Sequence, residues 1–344
     1  MTREKRQFLW SFHYFRAFAI LNIVFIHTWR FSSKTDYLVD ANFVNAVRDM
    51  LFHGSTIYFL FISGFLFHYL SHKFQIRKYY LSKFKNVVVP YVFISVFLIF
   101  SEDFTGAKAN VDLMDYLYII PEKLIRGTAS FQFWYIPFIL IVFLLSPIFL
   151  AIKEKTFLKV VPWLFLLPIL GTRTTVDITI GQFVYFLPTY LVGMYTSMNF
   201  EYVMQMVKKR FWLLTVIAVA TSFALLWVDH EKVYLGFTNP RESLVYLQKI
   251  AITFIILHLS RNIQENKFPS FSIVADCSFA LYFTHVIFDR HLKKVYYLVD
   301  DFFPHVLQVP ASIVYVILLI TVNVLFCLAV KKVLGEKSRY FIGY

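Results

Sequence analysis

Apolar stretches recur along the whole 344-residue chain, each close to the roughly 17 to 25 residues that carry a helix across about 30 Å of hydrocarbon. No other feature constrains the fold as much. A segment in lipid must satisfy its backbone hydrogen bonds internally, and a helix does so unaided. Composition points the same way, with 58% hydrophobic and 16% charged residues, against roughly 25% charged in an average soluble domain. That leaves too little polar surface to cover a water-soluble globule. The sequence predicts an all-α, polytopic integral membrane helix bundle of about ten transmembrane helices. The expected spans are 12–31, 52–70, 86–101, 133–152, 157–171, 183–199, 211–228, 244–260, 271–289 and 309–330. The fifth is the shortest and carries Pro162 and Pro168, which fits a kinked or re-entrant segment.

Lys and Arg concentrate in the segments that share a side with the N-terminus, whereas the opposite segments are slightly acidic on balance. The side enriched in Lys and Arg is the one retained in the cytoplasm, so both termini are expected there. The net charge of +13 then reflects topology and contact with membrane lipids, and nucleic acid is not an expected partner. Cys277 and Cys327 both fall inside predicted spans, which leaves no disulfide framework and no cysteine-rich metal site. The opening MTREKR and its apolar run lack a small-residue cleavage site, so the run reads as a retained first helix. One transmembrane domain is expected over 1–344, its core about 10–330. Residues 331–344, with Lys331, Lys332, Lys337 and Arg339, are expected as a short basic cytoplasmic tail. In the longest connection, 101–132, Leu113, Tyr116, Leu117 and Ile120 recur at helical spacing, the pattern of an interfacial amphipathic helix. Phe43, Val47, Met50 and Leu51 predict a similar short helix before the second span.

Titratable groups inside spans are costly and usually face the bundle interior or a watery cavity. The first span holds Arg16 and His27, eleven residues apart, hence on one helical face and about 16.5 Å apart along the axis. Taken singly, Arg16 also fits a snorkelling arginine and His27 a satisfied interfacial histidine. In the ninth span Ser278, Tyr282, His285 and Asp289 form one polar stripe about 60° wide, which serves either a site or interhelical hydrogen bonding. His285 is expected at the depth of His27 if both helices run the same way. Ser63 and Gly64, in FLFISGFLF, permit close helix packing. Trp134 and Tyr135, at the start of the fourth span, fit an aromatic belt or a platform for a sugar ring. The loop with Arg77, Lys78, Lys83 and Lys85 fixes topology and also suits the phosphates of a cytoplasmic donor.

Together these residues resemble the acyltransferase-3 family of membrane O-acyltransferases along nearly the whole chain. The family's first helix carries an Arg, ten intervening residues and a His, matched by Arg16 and His27. The second-span FLFISGFLF, the fourth-span WYIPFILIVFLLSPI and the late Ser278, Tyr282 and His285 also fit. One motif departs: where members often place two arginines three apart before a proline, this chain has Lys83 and Asn86 ahead of Pro90. Lys83 and Lys85 keep positive charge but lose the guanidinium fork. Length and the ending RYFIGY are closest in style to the intercellular-adhesin type of polysaccharide acyltransferase.

The resemblance implies a multi-pass enzyme of the bacterial inner or plasma membrane with no permanently bound cofactor and no metal. It implies transfer of an acyl group, acetyl above others, from cytoplasmic acyl-CoA to a hydroxyl of a cell-surface glycan or lipid-linked saccharide. It assigns catalytic roles to His27 and Arg16, and donor binding to Arg16, Lys83 and Lys85. Ser278, Tyr282, His285, Trp134 and Tyr135 become supporting or acceptor-orienting residues. His27 serves as general base or, by a covalent route, as acyl carrier. The same polar residues also suit a polytopic transporter or exporter of a cell-surface glycan.

Overall fold

The computed structural model describes residues 9–29, 41–104, 114–171, 173, 178–228, 238–263, 265–300 and 307–344, and among them the regular elements are helices. The chain starts with α1 (Trp10–Thr28), α2 (Ala41–Phe52) and α3 (Thr56–Tyr69). Next, α4 (Ile76–Lys83) passes through a π-turn into α5 (Val89–Phe104), followed by α6 (Tyr116–Arg126) and α7 (Tyr135–Phe149). Then come α8 (Glu154–Leu170), α9 (Ile180–Met198), α10 (Phe200–Lys209), α11 (Phe211–Trp227) and α12 (Pro240–Ser260). Last are α13 (Pro269–Asp276), α14 (Ser278–Asp300), α15 (Gln308–Leu334) and α16 (Ser338–Phe341).

Among the described residues, four helical runs are long and apolar enough to cross a membrane, or six if each of two sharply bent pairs is one span. Where they are described, the expected spans fall largely on helical chain, with 30–31 of the first outside the described residues, but α1 and α9 stay below that measure because polar side chains dilute them. Arg16, Asn22 and His27 do so in α1, and Gln182, Thr189 and Thr196 in α9. The stretch 271–289, expected as one span, is instead α13 and α14 meeting at 79° across Cys277. The fifth expected span is the continuous helix α8, which runs through both Pro162 and Pro168. The two expected short helices are present as α2 and α6; Leu113 lies outside the described residues.

Two apolar cores share α1. Phe12, Phe15 and Ala19 join the core of α3, α7, α8, α9 and α12, while Ile20, Ile23 and Val24 join that of α5, α14 and α15. The first helix is therefore the common wall of both halves. Its neighbours α3 and α9 approach backbone to backbone. A Cβ at Gly64 would lie 1.9 Å from the Tyr190 carbonyl oxygen, and one at Gly193 2.3 Å from that of Phe61, so only glycine permits this spacing.

The α2 helix is clamped by buried polar groups. Lys249, fully buried in α12, donates to the Leu51 carbonyl at 2.7 Å, and Gln248 donates to that of Met50 at 3.0 Å. These satisfy carbonyls that a helix C-terminus leaves open. The basic segment 331–344 does not hang free: Ser338 and Ile342 are buried, and the Ser338 hydroxyl donates to the carbonyls of Gly335 and Tyr344.

Candidate active site

At one end of α1, one helical turn carries both His13 and Arg16 on the same face. The bend at Cys277 swings α13 against this turn. His13 Nε2 lies 3.0 Å from Ser272 Oγ, and Asp276 lies 4.0 Å from the Arg16 guanidinium. Arg16 also reaches His13 Nδ1 at 3.5 Å, and its Nε is buried without a hydrogen-bond partner. These groups open on a cavity of about 430 Å³ whose lining includes His13, Arg16, His72, Lys73 and Asp276. Two cations and two histidines face one carboxylate there, a balance of charge that favours anions.

Lys83 and Lys85 are not in that lining. The Lys83 ammonium sits 3.8 Å above the Phe143 ring, a cation–π contact that fastens α4 to α7, and Lys85 is exposed. The basic residues beside Arg16 are instead His72 and Lys73, which follow α3 directly.

At the other end of α1, His27 meets His285 of α14 with their rings stacked, centroids 5.6 Å apart and planes within 19°. The expectation of equal depth thus corresponds to direct contact. His285 Nδ1 lies 2.7 Å from the Leu281 carbonyl, which accepts only, so Nδ1 carries the proton. In the neutral ring Nε2 then keeps a free lone pair, and it is fully buried without a hydrogen-bond partner.

The loop between α6 and α7 completes this end. Gly127 ends α6 at φ +69°, and a Cβ there would lie 2.7 Å from Trp134 Cα. Glycine therefore turns the loop inward. Phe131 then packs edge-on to His27 at 4.7 Å, and the Gln132 carbonyl accepts from Tyr282 at 2.5 Å. Ser130 donates to Gln132 Oε1 at 2.5 Å, which turns the amide nitrogen the other way. That nitrogen is buried and unpartnered. Phe131 also lines a cavity of about 310 Å³ with Ser130, Asp289, Arg290 and Lys293. Asp289 accepts from Tyr315 at 2.9 Å.

Of the remaining sequence-predicted residues, Ser278 is buried at the start of α14. Tyr135 packs beside Tyr282 at 6.1 Å. Trp134 points elsewhere, stacked on Phe186 at 5.5 Å with the Arg173 guanidinium 5.6 Å from its ring. His13, Asp276, His72, Lys73 and Gln132 were not singled out as site residues from sequence. His13 carried a signal, three residues before Arg16 on the same face. Asp276 carried none, because its placement follows from the bend at Cys277. Among the described residues no group of His, Cys, Asp and Glu is arranged to hold a metal ion.

A family model described as an acyltransferase domain matches residues 9–331. No curated protein and no solved structure matches the chain.

Proposed function

This chain belongs to the acyltransferase-3 family, and from that premise we propose that it moves an acetyl group from cytoplasmic acetyl-CoA to a hydroxyl of an extracytoplasmic or lipid-linked glycan. It is a membrane acyltransferase; the donor, the acceptor and the direction across the membrane are the proposal. One observation carries it. A single helix, α1, lines an anion-receiving cavity through Arg16 at one end and presents His27 to a stacked, buried His285 at the other.

The donor's phosphates bind at Arg16, His72 and Lys73, where forked and point cations face the cavity together. Lys83 and Lys85 stay at the same face as part of its basic field. The slender pantetheine arm runs along α1 for about 16.5 Å, which brings the thioester carbonyl to His27. The acceptor occupies the cavity beyond Phe131.

His27 removes the proton of the acceptor hydroxyl as its oxygen attacks the thioester carbon. The carbonyl becomes an oxyanion, and the Gln132 amide, held by Ser130, is the donor available to it. Collapse of this intermediate breaks the C–S bond, the leaving coenzyme A sulfur takes up the proton held by His27, and the acyl ester stays on the acceptor. The His285 Nε2 lone pair accepts a hydrogen bond from the acceptor and so aligns it, and Tyr282 fixes the loop that carries Gln132.

The test is acetyl-CoA turnover by the purified protein. His27→Ala is expected to lower turnover by roughly 10² to 10⁴-fold, the range of general base catalysis, with coenzyme A affinity close to native. Substantial turnover by His27→Ala would falsify the assignment. Absence of turnover in the native protein, together with vectorial glycan movement, would favour the exporter.

A further inference from the structure

Helices α8 to α12 enclose an apolar groove of about 490 Å³ that shares no lining residue with the two cavities of the site. Its walls run from Leu158 to Phe165 on α8, from Arg210, just before α11, to Ile217 on it, and from Leu247 to Phe254 on α12. Each stretch advances seven residues, so the groove follows the helix axes for about 10 Å. Apart from the hydroxyls of Tyr195, Thr196 and Tyr202, its polar side chain is Arg210, at one end.

Arg210 is exposed and stands where α10 turns by 72° into α11. It follows Lys208 and Lys209, both exposed as well. The α10 helix buries Val203, Met204 and Val207, with Val203 and Val207 contributing to the groove wall. An apolar slot ending in Arg210, with two more cations next to it in the chain, is complementary to an amphiphile with an anionic head. In a bilayer the abundant molecule of that kind is a phospholipid, and a cationic cluster at the surface selects those with net negative charge.

We propose that this groove is a binding site for an anionic glycerophospholipid. One acyl chain lies between α8, α11 and α12, and the headgroup phosphate rests on the Arg210 guanidinium with Lys208 and Lys209 alongside. Bound there, the lipid braces the joint between α10 and α11 by contacts that neither helix makes alone. This site is separate from catalysis and stands whether or not the proposed acetyl transfer does.

Protein purified in neutral detergent and titrated with phosphatidylglycerol or phosphatidylcholine provides the test, read by native mass spectrometry and thermal unfolding. The native protein is expected to retain one phosphatidylglycerol under activation that strips phosphatidylcholine, and to melt higher with the former. R210Q changes an exposed side chain and is expected to lower the preference for phosphatidylglycerol about fivefold, the scale of one cation facing an anionic lipid. R210K should keep most of the preference, and Leu214→Trp, which fills the groove, should weaken both lipids. K331Q, a cation remote from the groove, should leave the preference native. Equal retention of both lipids by the native protein overturns the proposal. So does native preference in R210Q, or a loss in K331Q equal to that in R210Q.

Discussion

Arg16 and His27 share one face of α1 but meet different surroundings, and this separates their roles. Arg16 is held loosely, at 3.5 Å from His13 and 4.0 Å from an Asp276 that is itself half exposed. Its guanidinium therefore keeps donors for an incoming phosphate. Arg16→Ala is expected to weaken coenzyme A binding by about 1.5 to 3 kcal/mol, the range for a hydrogen bond to a charged group, with Arg16→Lys recovering part. Calorimetric titration of both variants measures this, and unchanged affinity in Arg16→Ala would restore the reading as a snorkelling side chain. His285 offers the opposite case, a ring fixed by one carbonyl with its other nitrogen unpartnered. His285→Ala removes an aligning acceptor, so turnover should fall roughly tenfold, the scale of one hydrogen bond, with coenzyme A affinity preserved. A loss as deep as that of His27→Ala would instead make His285 the base.

At the scale of elements, two interruptions build the site. The bend between α13 and α14 delivers Ser272 and Asp276 to the first turns of α1 and lets the stripe of Ser278, Tyr282 and His285 continue on its own axis. The left-handed Gly127 folds the α6–α7 loop inward and sets Phe131 and Gln132 beside the histidines. Gly127→Ala meets both backbone strain, about 1 to 2 kcal/mol for a left-handed non-glycine residue, and a clash 2.7 Å from Trp134 Cα. Thermal unfolding in detergent should place Gly127→Ala clearly below the native protein, and the variant should lose turnover. Equal melting points would show that the loop relaxes freely.

At the scale of the whole molecule, the charge distribution predicts which face each loop occupies, and the fold decides which positions report it. Ser338 is buried and bonded within the folded C-terminal segment, so a cysteine there would be shielded on either side of the membrane. Lys337 and Ser82 are exposed near the basic face, and Glu122 is exposed on α6. In intact cells, single cysteines at Ser82 and Lys337 should resist an impermeant thiol reagent while one at Glu122 reacts, in a background lacking Cys277 and Cys327. Reaction at Ser82 with protection at Glu122 would invert the orientation and remove the route by which cytoplasmic acyl-CoA reaches Arg16.

Helical fold class, membrane residence and the shared face of Arg16 and His27 were legible in the sequence, because each follows from local periodicity and composition. So was the polar stripe of α14, whose offsets place Ser278, Tyr282 and His285 together on any regular helix. The chain's own pattern could not show that this stripe meets α1 at a stacked histidine pair, since that depends on how separate helices pack. The 79° bend at Cys277 was equally hidden: no proline or glycine marks it, and it is held by contacts of α13 with α1. For the same reason the basic partners of Arg16 are His72 and Lys73, whereas Lys83 lies on the Phe143 ring. Local sequence fixes which face a residue occupies, but which faces meet is decided by the packing of two cores around one shared helix.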